Sequence, residues 1–243
     1  MKLLDLTFAS PAENLACDEA LLNWAEAGGG EVLRFWEPRE YFVVVGYANK
    51  VEMEVNVEAC AAKTIPIFRR CSGGGTVLQG PGCLNYTLIL QIAGHPPLAT
   101  ISGANKFIME QNRAVLESAF PPSSAKITVR GYTDLAIDDR KFSGNSQRRH
   151  KRALLFHGTF LLNFDLALVA GFLRMPSKQP DYRNHRGHDE FLMNLNAPAA
   201  RLKSALGKIW SATGEVCNLH FLEPETHKLA VEKYSTAGWN FKL

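Results

Sequence analysis

Residues 125–164, AKITVRGYTDLAIDDRKFSGNSQRRHKRALLFHGTFLLNF, constrain the fold of this 243-residue chain more than any other stretch. Short runs rich in β-branched and aromatic residues are separated there by turn-forming sequences, which predicts three or four strands of a β-meander. Asp138-Asp139 is expected to make one tight turn, since aspartate tolerates left-handed backbone, and the basic run Arg148 to Arg152 another. Further strands are expected at EVLRFW, YFVVVG, IPIFR and LNYTLIL. Ser10-Pro11-Ala12-Glu13 has the form of a capping box with proline at the first helical position, so a helix should run through NLACDEALLNWAEA until Gly28-Gly29-Gly30 stops it. A longer helix fits TISGANKFIMEQNRAVLESAF, where Ala104, Ile108, Val115 and Ala119 share one face. DLALVAGFL, residues 198–213 and PETHKLAVEKY also read as helical. Strands and helices mix without strict alternation. The expected class is therefore α/β or α+β, a mixed β-sheet flanked by helices, rather than a barrel or a Rossmann unit.

No proline-rich or serine-rich linker divides the sequence, so residues 1–243 are read as a single domain with no accessory C-terminal domain, long enough to bury a substantial core. Apolar residues make up 46% and charged residues 21%, which excludes a disordered chain. The N-terminal MKLLDLTFASPAEN has an aspartate where a secretory signal would need apolar sequence, and Asp165 interrupts LLNFDLALVAGFL, so neither export nor membrane insertion is expected and the location is read as cytoplasmic. The five cysteines, Cys17, Cys60, Cys71, Cys83 and Cys217, are widely spaced with no C-x-x-C pair, which argues against disulfides and zinc. A net charge of +3 does not call for a nucleic-acid partner; the basic run at 148–152 reads as a solvated turn or as a dock for an acidic partner.

Chemistry concentrates in two stretches. In RRCSGGGTVL, two arginines precede three glycines between two strands, a setting unlike the P-loop or G-x-G-x-x-G. Ser72, Gly73, Gly74, Gly75 and the following Thr76, Val77 and Leu78 would offer backbone amides to a closely approaching anion, and Arg70 a guanidinium suited to carboxylate or phosphate. A hairpin turn that carries glycines is the plainer alternative. In GYTDLAIDDRKFSGNSQ, Lys141 follows a tight turn and precedes small residues such as Gly144, leaving room for a ligand; facing the glycine loop, it would hold a carboxylate and a phosphoryl oxygen together. Asp134 is either a Mg2+ ligand or a turn residue. His157, within LLFHGTFLL, reads as a hydrogen-bonded structural residue before a catalyst, and no Ser-His-Asp pattern is visible.

With those motifs in view, the chain resembles the lipoate-protein ligase A family, within the biotin/lipoate ligase and octanoyltransferase superfamily. The resemblance runs through NLACDEALL, VLRFWEP, EVNVEAC, RRCSGGGTVL, GYTDLAIDDRKFSGNSQRR, HGTFLLNFDL and KYSTAGWN. It implies a catalytic domain like those of biotin ligases and class II aminoacyl-tRNA synthetases. It also implies a reaction in two halves: lipoate and MgATP give lipoyl-AMP, whose acyl group then passes to a lysine of a lipoyl domain, in a 2-oxoacid dehydrogenase E2 subunit or the glycine cleavage H protein. Lys141 matches the family's catalytic lysine, and Arg70 with Gly75 to Leu78 its nucleotide-binding positions, with Ser72, Gly73, Gly74, Asp134, Gly144 and His157 as further substrate or ATP contacts. ATP, Mg2+ and lipoate are thus the expected co-substrates, and a separate accessory subunit is a possible partner, as in some shorter relatives.

The sequence also departs from the ligase pattern. Gln79 stands where many relatives have histidine, Gly80-Pro81-Gly82 resembles a turn of octanoyltransferases, and Gly46-Tyr47-Ala48-Asn49 replaces G-R-x-Q. One octanoyltransferase branch has a nucleophilic cysteine just before the strand corresponding to YTDLAI, and residues 125–134 contain none, which favours the ligase. The alternatives are a transferase taking octanoyl or lipoyl from an acyl-carrier protein without ATP, with Cys71 or Cys83 as nucleophile, and a non-catalytic module that binds adenylate or carrier.

Overall fold

The computed structural model describes residues 1–120, 126–212, 214–215 and 222–243. Its strands are β1 (Lys2–Asp5), β2 (Val32–Trp36), β3 (Phe42–Val45), β4 (Ile67–Arg69), β5 (Val77–Gln79), β6 (Cys83–Gln91), β7 (Ile127–Arg130), β8 (Asp134–Ile137), β9 (Arg140–Arg149), β10 (Ala153–Leu161) and β11 (Gly214–Glu215). The helices that matter to the site are α1 (Pro11–Glu26), α2 (Ile101–Ala119), α3 (Ala199–Ile209) and α4 (Leu222–Leu229).

The strand-rich stretch does form an antiparallel meander, β7 to β10, and it extends a larger sheet in the order β11-β1-β2-β6-β10-β9-β8-β7. Within this sheet the parallel pairs are β11–β1 and β1–β2, and the remaining neighbours are antiparallel. A second sheet, β4-β3-β5, carries the glycine loop between β4 and β5. Both residues of the Asp138-Asp139 turn have positive φ, 48° and 56°, as a tight hairpin between twisted strands requires. The expected class, a mixed sheet flanked by helices, is the one observed.

The large sheet is covered on both faces. On one, Leu33, Phe35, Leu88, Leu154 and Phe156 pack against Ala104 and Ile108 of α2 and Leu202 and Leu206 of α3. On the other, Val32, Ile89 and Leu155 pack against Cys17, Leu21 and Ala25 of α1. Helix α1 is buried nearly all round, because α4 and residues 230–234 cover its outer side. Its start differs from expectation: Ser10 makes no side-chain cap, and the Asn14 side chain instead accepts from Phe8 N and donates to Phe8 O and Ser10 O. Gly28 ends it with φ of 102°. The longer α2 is capped by Thr100, whose side chain accepts from Gly103 N. Residues 213 and 125, ends of two expected elements, lie outside the described residues. Among the described residues no helix is long and apolar enough to cross a membrane.

Candidate functional site

A cavity of about 880 Å3 opens between the two sheets. Strand register decides which side chains reach it. In the β9–β10 pair, Ser146 lies opposite His157 and Gly144 opposite Thr159, so these four positions share one face of the sheet. In the β6–β10 pair, Asn85 continues that face beside Thr159. Arg70, Gly74, Gly75, Thr76, Val77 and Leu78 line the cavity from the small sheet and its loop, while Asp134, Lys141, Gly144 and His157 line it from the large one. The sequence candidates therefore converge, with two exceptions. Ser72 is fully buried behind His157, and Gly73 is not part of the wall.

The three glycines have different reasons. Gly74 alone has positive φ, 84°. A Cβ on Gly73 or Gly75 would meet no protein atom within 4 Å, so neither is demanded by packing. The loop is instead shaped by the two arginines before it. Arg69, buried, donates to the carbonyls of Gly46, Tyr47 and Asn49, and so fixes the turn on which the loop rests. From that turn Asn49 Nδ2 donates to Gly74 O at 3.1 Å. Arg70 points inward: Nε donates to Ser72 Oγ and Gly73 O at 3.1 Å, and Nη2 to Gly73 O and to Gly75 O, the latter at 2.7 Å. Burial lowers its pKa to about 10, which leaves it charged at neutral pH. The sequence reading aimed Arg70 at a ligand anion; here its guanidinium is engaged by the loop itself.

That inward hold has a consequence on the other side of the loop. In a trans peptide the C=O and N–H point in opposite directions. Drawing the Gly73 and Gly75 carbonyls toward Arg70 turns the amides of Gly74 and Thr76 away from it, and among the described residues neither amide has a hydrogen-bond acceptor. The loop thus presents two free donors.

Lys141 lies across Gly144. A Cβ there would come within 2.6 Å of the lysine Nζ, so glycine at 144 clears the path of that arm. The ammonium sits 2.7 Å from Asp134 Oδ1, and the other oxygen, Oδ2, accepts from Tyr182 Oη at 2.8 Å. Burial first, then Asp134, holds the Tyr182 hydroxyl far above its usual range, so it stays a donor. With an ammonium and a phenol on its two oxygens, Asp134 does not fit a Mg2+ ligand. Among the described residues no group of three or more His, Cys, Asp or Glu is placed to hold a metal. The Asp134 carboxylate fixes the direction of the Lys141 arm.

His157 belongs to an arrangement that the sequence reading missed. Its Nδ1 lies 2.9 Å from Asp18 Oδ2, its Nε2 2.6 Å from Ser72 Oγ, and Ser72 Oγ is 2.9 Å from Ser146 Oγ. Asp18, on α1, is itself paired at 2.6 Å with the fully buried Arg34 of β2. Burial alone would raise the Asp18 carboxyl, but Arg34, followed by His157, outweighs it and holds the group below the usual carboxylate range. The available signal was polarity where the pattern demands apolar residues: Asn14 and Asp18, one helical turn apart on α1, and an arginine within VLRFW.

Part of the remaining wall is apolar, formed by Trp36, Val44, Leu78, Leu161, Phe164 and Leu173; polar positions lie where Gln79 and Thr159 hydrogen-bond Asn85 and where Lys50, Glu54, Lys178, Arg183 and His188 reach the cavity. Cys71 and Cys83 offer no nucleophile to it. Burial pushes both thiols up to about 12, and Cys17 to about 11. Cys217 lies outside the described residues.

Residues 10–204 match the family model of the lipoyl protein ligase A/B catalytic domain. The chain belongs to that family. Among curated relatives, octanoyltransferase LipM of Geobacillus kaustophilus is 27% identical, with 99% of this chain and 98% of the relative aligned, and LipM of Bacillus subtilis is 28% identical with the same coverage. Among solved structures, the bipartite lipoate protein ligase of Thermoplasma acidophilum, determined together with its E2 lipoyl domain, superposes with a TM-score of 0.81 at 23% identity, covering 99% of this chain and 95% of that one. That likeness speaks for the fold. The ATP-dependent lipoate ligase expected from the sequence is corrected by these relatives, since octanoyltransferases LipM align along 99% of the chain at 25–28% identity.

Proposed function

We propose that the protein transfers an octanoyl-type acyl group from the thioester of an acyl-carrier protein to a lysine of a lipoyl-domain acceptor, in the cytoplasm and without ATP. The observation that carries this reading is the cavity, in which apolar wall residues lead to an end rich in hydrogen-bond donors, the Lys141 ammonium paired with Asp134 and the free amides of Gly74 and Thr76. An acyl chain fits the apolar part of the wall. At the donor-rich end, the thioester carbonyl gains negative charge as it becomes tetrahedral, and donors fixed there in advance stabilise that charge without having to reorganise. Two further observations support a thioester over an adenylate: Arg70 is engaged by the loop rather than free for a phosphate, and Asp134 does not fit a magnesium ligand. The acceptor lysine must attack as a neutral amine, and the partner surface supplies its placement.

Purified protein mixed with octanoylated acyl-carrier protein and an apo lipoyl domain should octanoylate the acceptor lysine with no nucleotide present. Lys141→Ala should remain folded, since the lysine is partly exposed, yet lose this transfer by about 10²-fold or more. Modification that requires free octanoate or lipoate with MgATP, and never proceeds from the carrier, would overturn the reading.

A further inference from the structure

We propose that Ser146 is the nucleophile that carries the acyl group between donor and acceptor, activated through the hydrogen-bonded series Ser146, Ser72, His157 and Asp18. This inference rests on the transferase reading above, and it supplies the thiol's counterpart that the inert Cys17, Cys71 and Cys83 do not.

The direction of each proton in the series follows from its inner end. Asp18, held ionised beside Arg34, can only accept, so His157 Nδ1 carries the proton of their 2.9 Å contact. For His157 to act as the base, its Nε2 must be a bare acceptor, and Ser72 Oγ then donates to it across the 2.6 Å contact. Having given its one proton to His157, Ser72 Oγ accepts from Arg70 Nε at 3.1 Å and from Ser146 Oγ at 2.9 Å. Every donor is thus aligned inward, and the outer end of the series is the Ser146 hydroxyl. Ser146 lines the cavity; Ser72 does not.

The hydroxyl also has an oxyanion site beside it. The loop crosses Ser146 so closely that a Cβ on Gly74 would lie 3.3 Å from the Ser146 Cβ, and the free amides of Gly74 and Thr76 belong to that same turn. A base-linked hydroxyl next to two unpaired backbone amides is the arrangement that acyl transfer through an ester requires.

The chemistry balances without a further reactant. Ser146 Oγ attacks the thioester carbonyl, forming the C–O bond, while its proton moves to Ser72 and that of Ser72 to His157 Nε2. Collapse of the tetrahedral species breaks the C–S bond, and the departing thiolate takes a proton back through the same groups, leaving an octanoyl ester on Ser146 and a free carrier thiol. The neutral acceptor lysine then attacks the ester; the C–N bond forms, the C–O bond breaks, and Ser146 recovers a proton from the amine. Ser72 is a positioning residue here, since it acts through Ser146.

The test uses the full-length protein. Incubation with octanoylated acyl-carrier protein, without acceptor and without ATP, should give a species one octanoyl group heavier by intact mass, with the modification mapped to Ser146. Ser146→Ala should abolish the adduct and lower ATP-free transfer by about 10²-fold or more in kcat with KM little changed. Ser146→Cys should restore an adduct as a thioester, cleaved by neutral hydroxylamine faster than the wild-type ester. Ser72→Ala should slow adduct formation at unchanged KM, a split that mere loss of loop packing would not give. Wild-type rates in Ser146→Ala, or an adduct mapped to another residue, would overturn this assignment while the transferase reading stood. Absence of ATP-free transfer by the wild-type protein would overturn both.

Discussion

Asp18 and Arg34 are charges placed where the surrounding sequence is apolar, and neither is more than 2% exposed. The Arg34 guanidinium donates to Asp18 Oδ1, to the Asn14 carbonyl and side chain, and to Leu6 O, so its burial is almost fully compensated. Removing one partner would leave the other charge stranded in the interior. Asp18→Ala should therefore destabilise the protein by about 3–5 kcal/mol in urea unfolding. The same pair sets an acid limit. Because the folded-state pKa of Asp18 lies below its unfolded value, its contribution is complete above the ordinary carboxylate range and is lost as pH falls through the folded pKa. Stability measured across that acid window should fall less steeply in Asp18→Asn than in the wild type. An unchanged slope would remove Asp18 from the account.

The glycine loop works as an element because two arginines and one turn fix its backbone, leaving its outer amides free. Gly46 shows how close the fit is, since a Cβ there would collide with the Gly74 carbonyl, a backbone atom that cannot rotate aside. Gly46→Ala should displace the loop and its two amides. The expected result is a loss of transfer of about 10²-fold, larger than any loss in thermal stability would explain. Equal activity in Gly46→Ala would mean that the loop's position is not set from this turn. The same element shows why sequence reasoning could find the site and still misassign its parts. Concentrated cations before three glycines marked a loop that lines the cavity with two free amides. Arg70 folds back on Gly73 and Gly75 of its own loop, while the direction of Arg69 depends on carbonyls of residues 46, 47 and 49, which no spacing within RRCSGGGTVL encodes.

At the scale of the whole molecule, the last residues are fastened to the first motif. Arg69 donates to the carbonyls of Trp239 and Asn240, Trp239 Nε1 donates to Arg69 O at 2.8 Å, and Tyr234 Oη donates to Glu19 on α1 at 2.6 Å. Deleting residues 237–243 would uncover Arg69 and leave the turn under the loop held from one side. Such a truncation should lower the melting temperature and reduce kcat together. A truncated protein with wild-type activity would disconnect this end of the chain from the site.

The meander, the first helix and its glycine stop were legible from sequence, because alternation, helical periodicity and turn chemistry act over a few residues. So was the family, whose motifs are contiguous. The capping box did not form: Ser10 makes no side-chain cap, and the Asn14 side chain, held by Arg34, instead ties the start of the helix to Phe8 and Ser10. The Ser-His-Asp series was invisible because its members come from α1, the loop after β4, β9 and β10, and only the β9–β10 register sets Ser146 beside His157. Local sequence thus determined which elements form; the packing of separate elements decided which polar atoms meet, since hydrogen bonds a few ångströms long are fixed by register and burial rather than by neighbours along the chain.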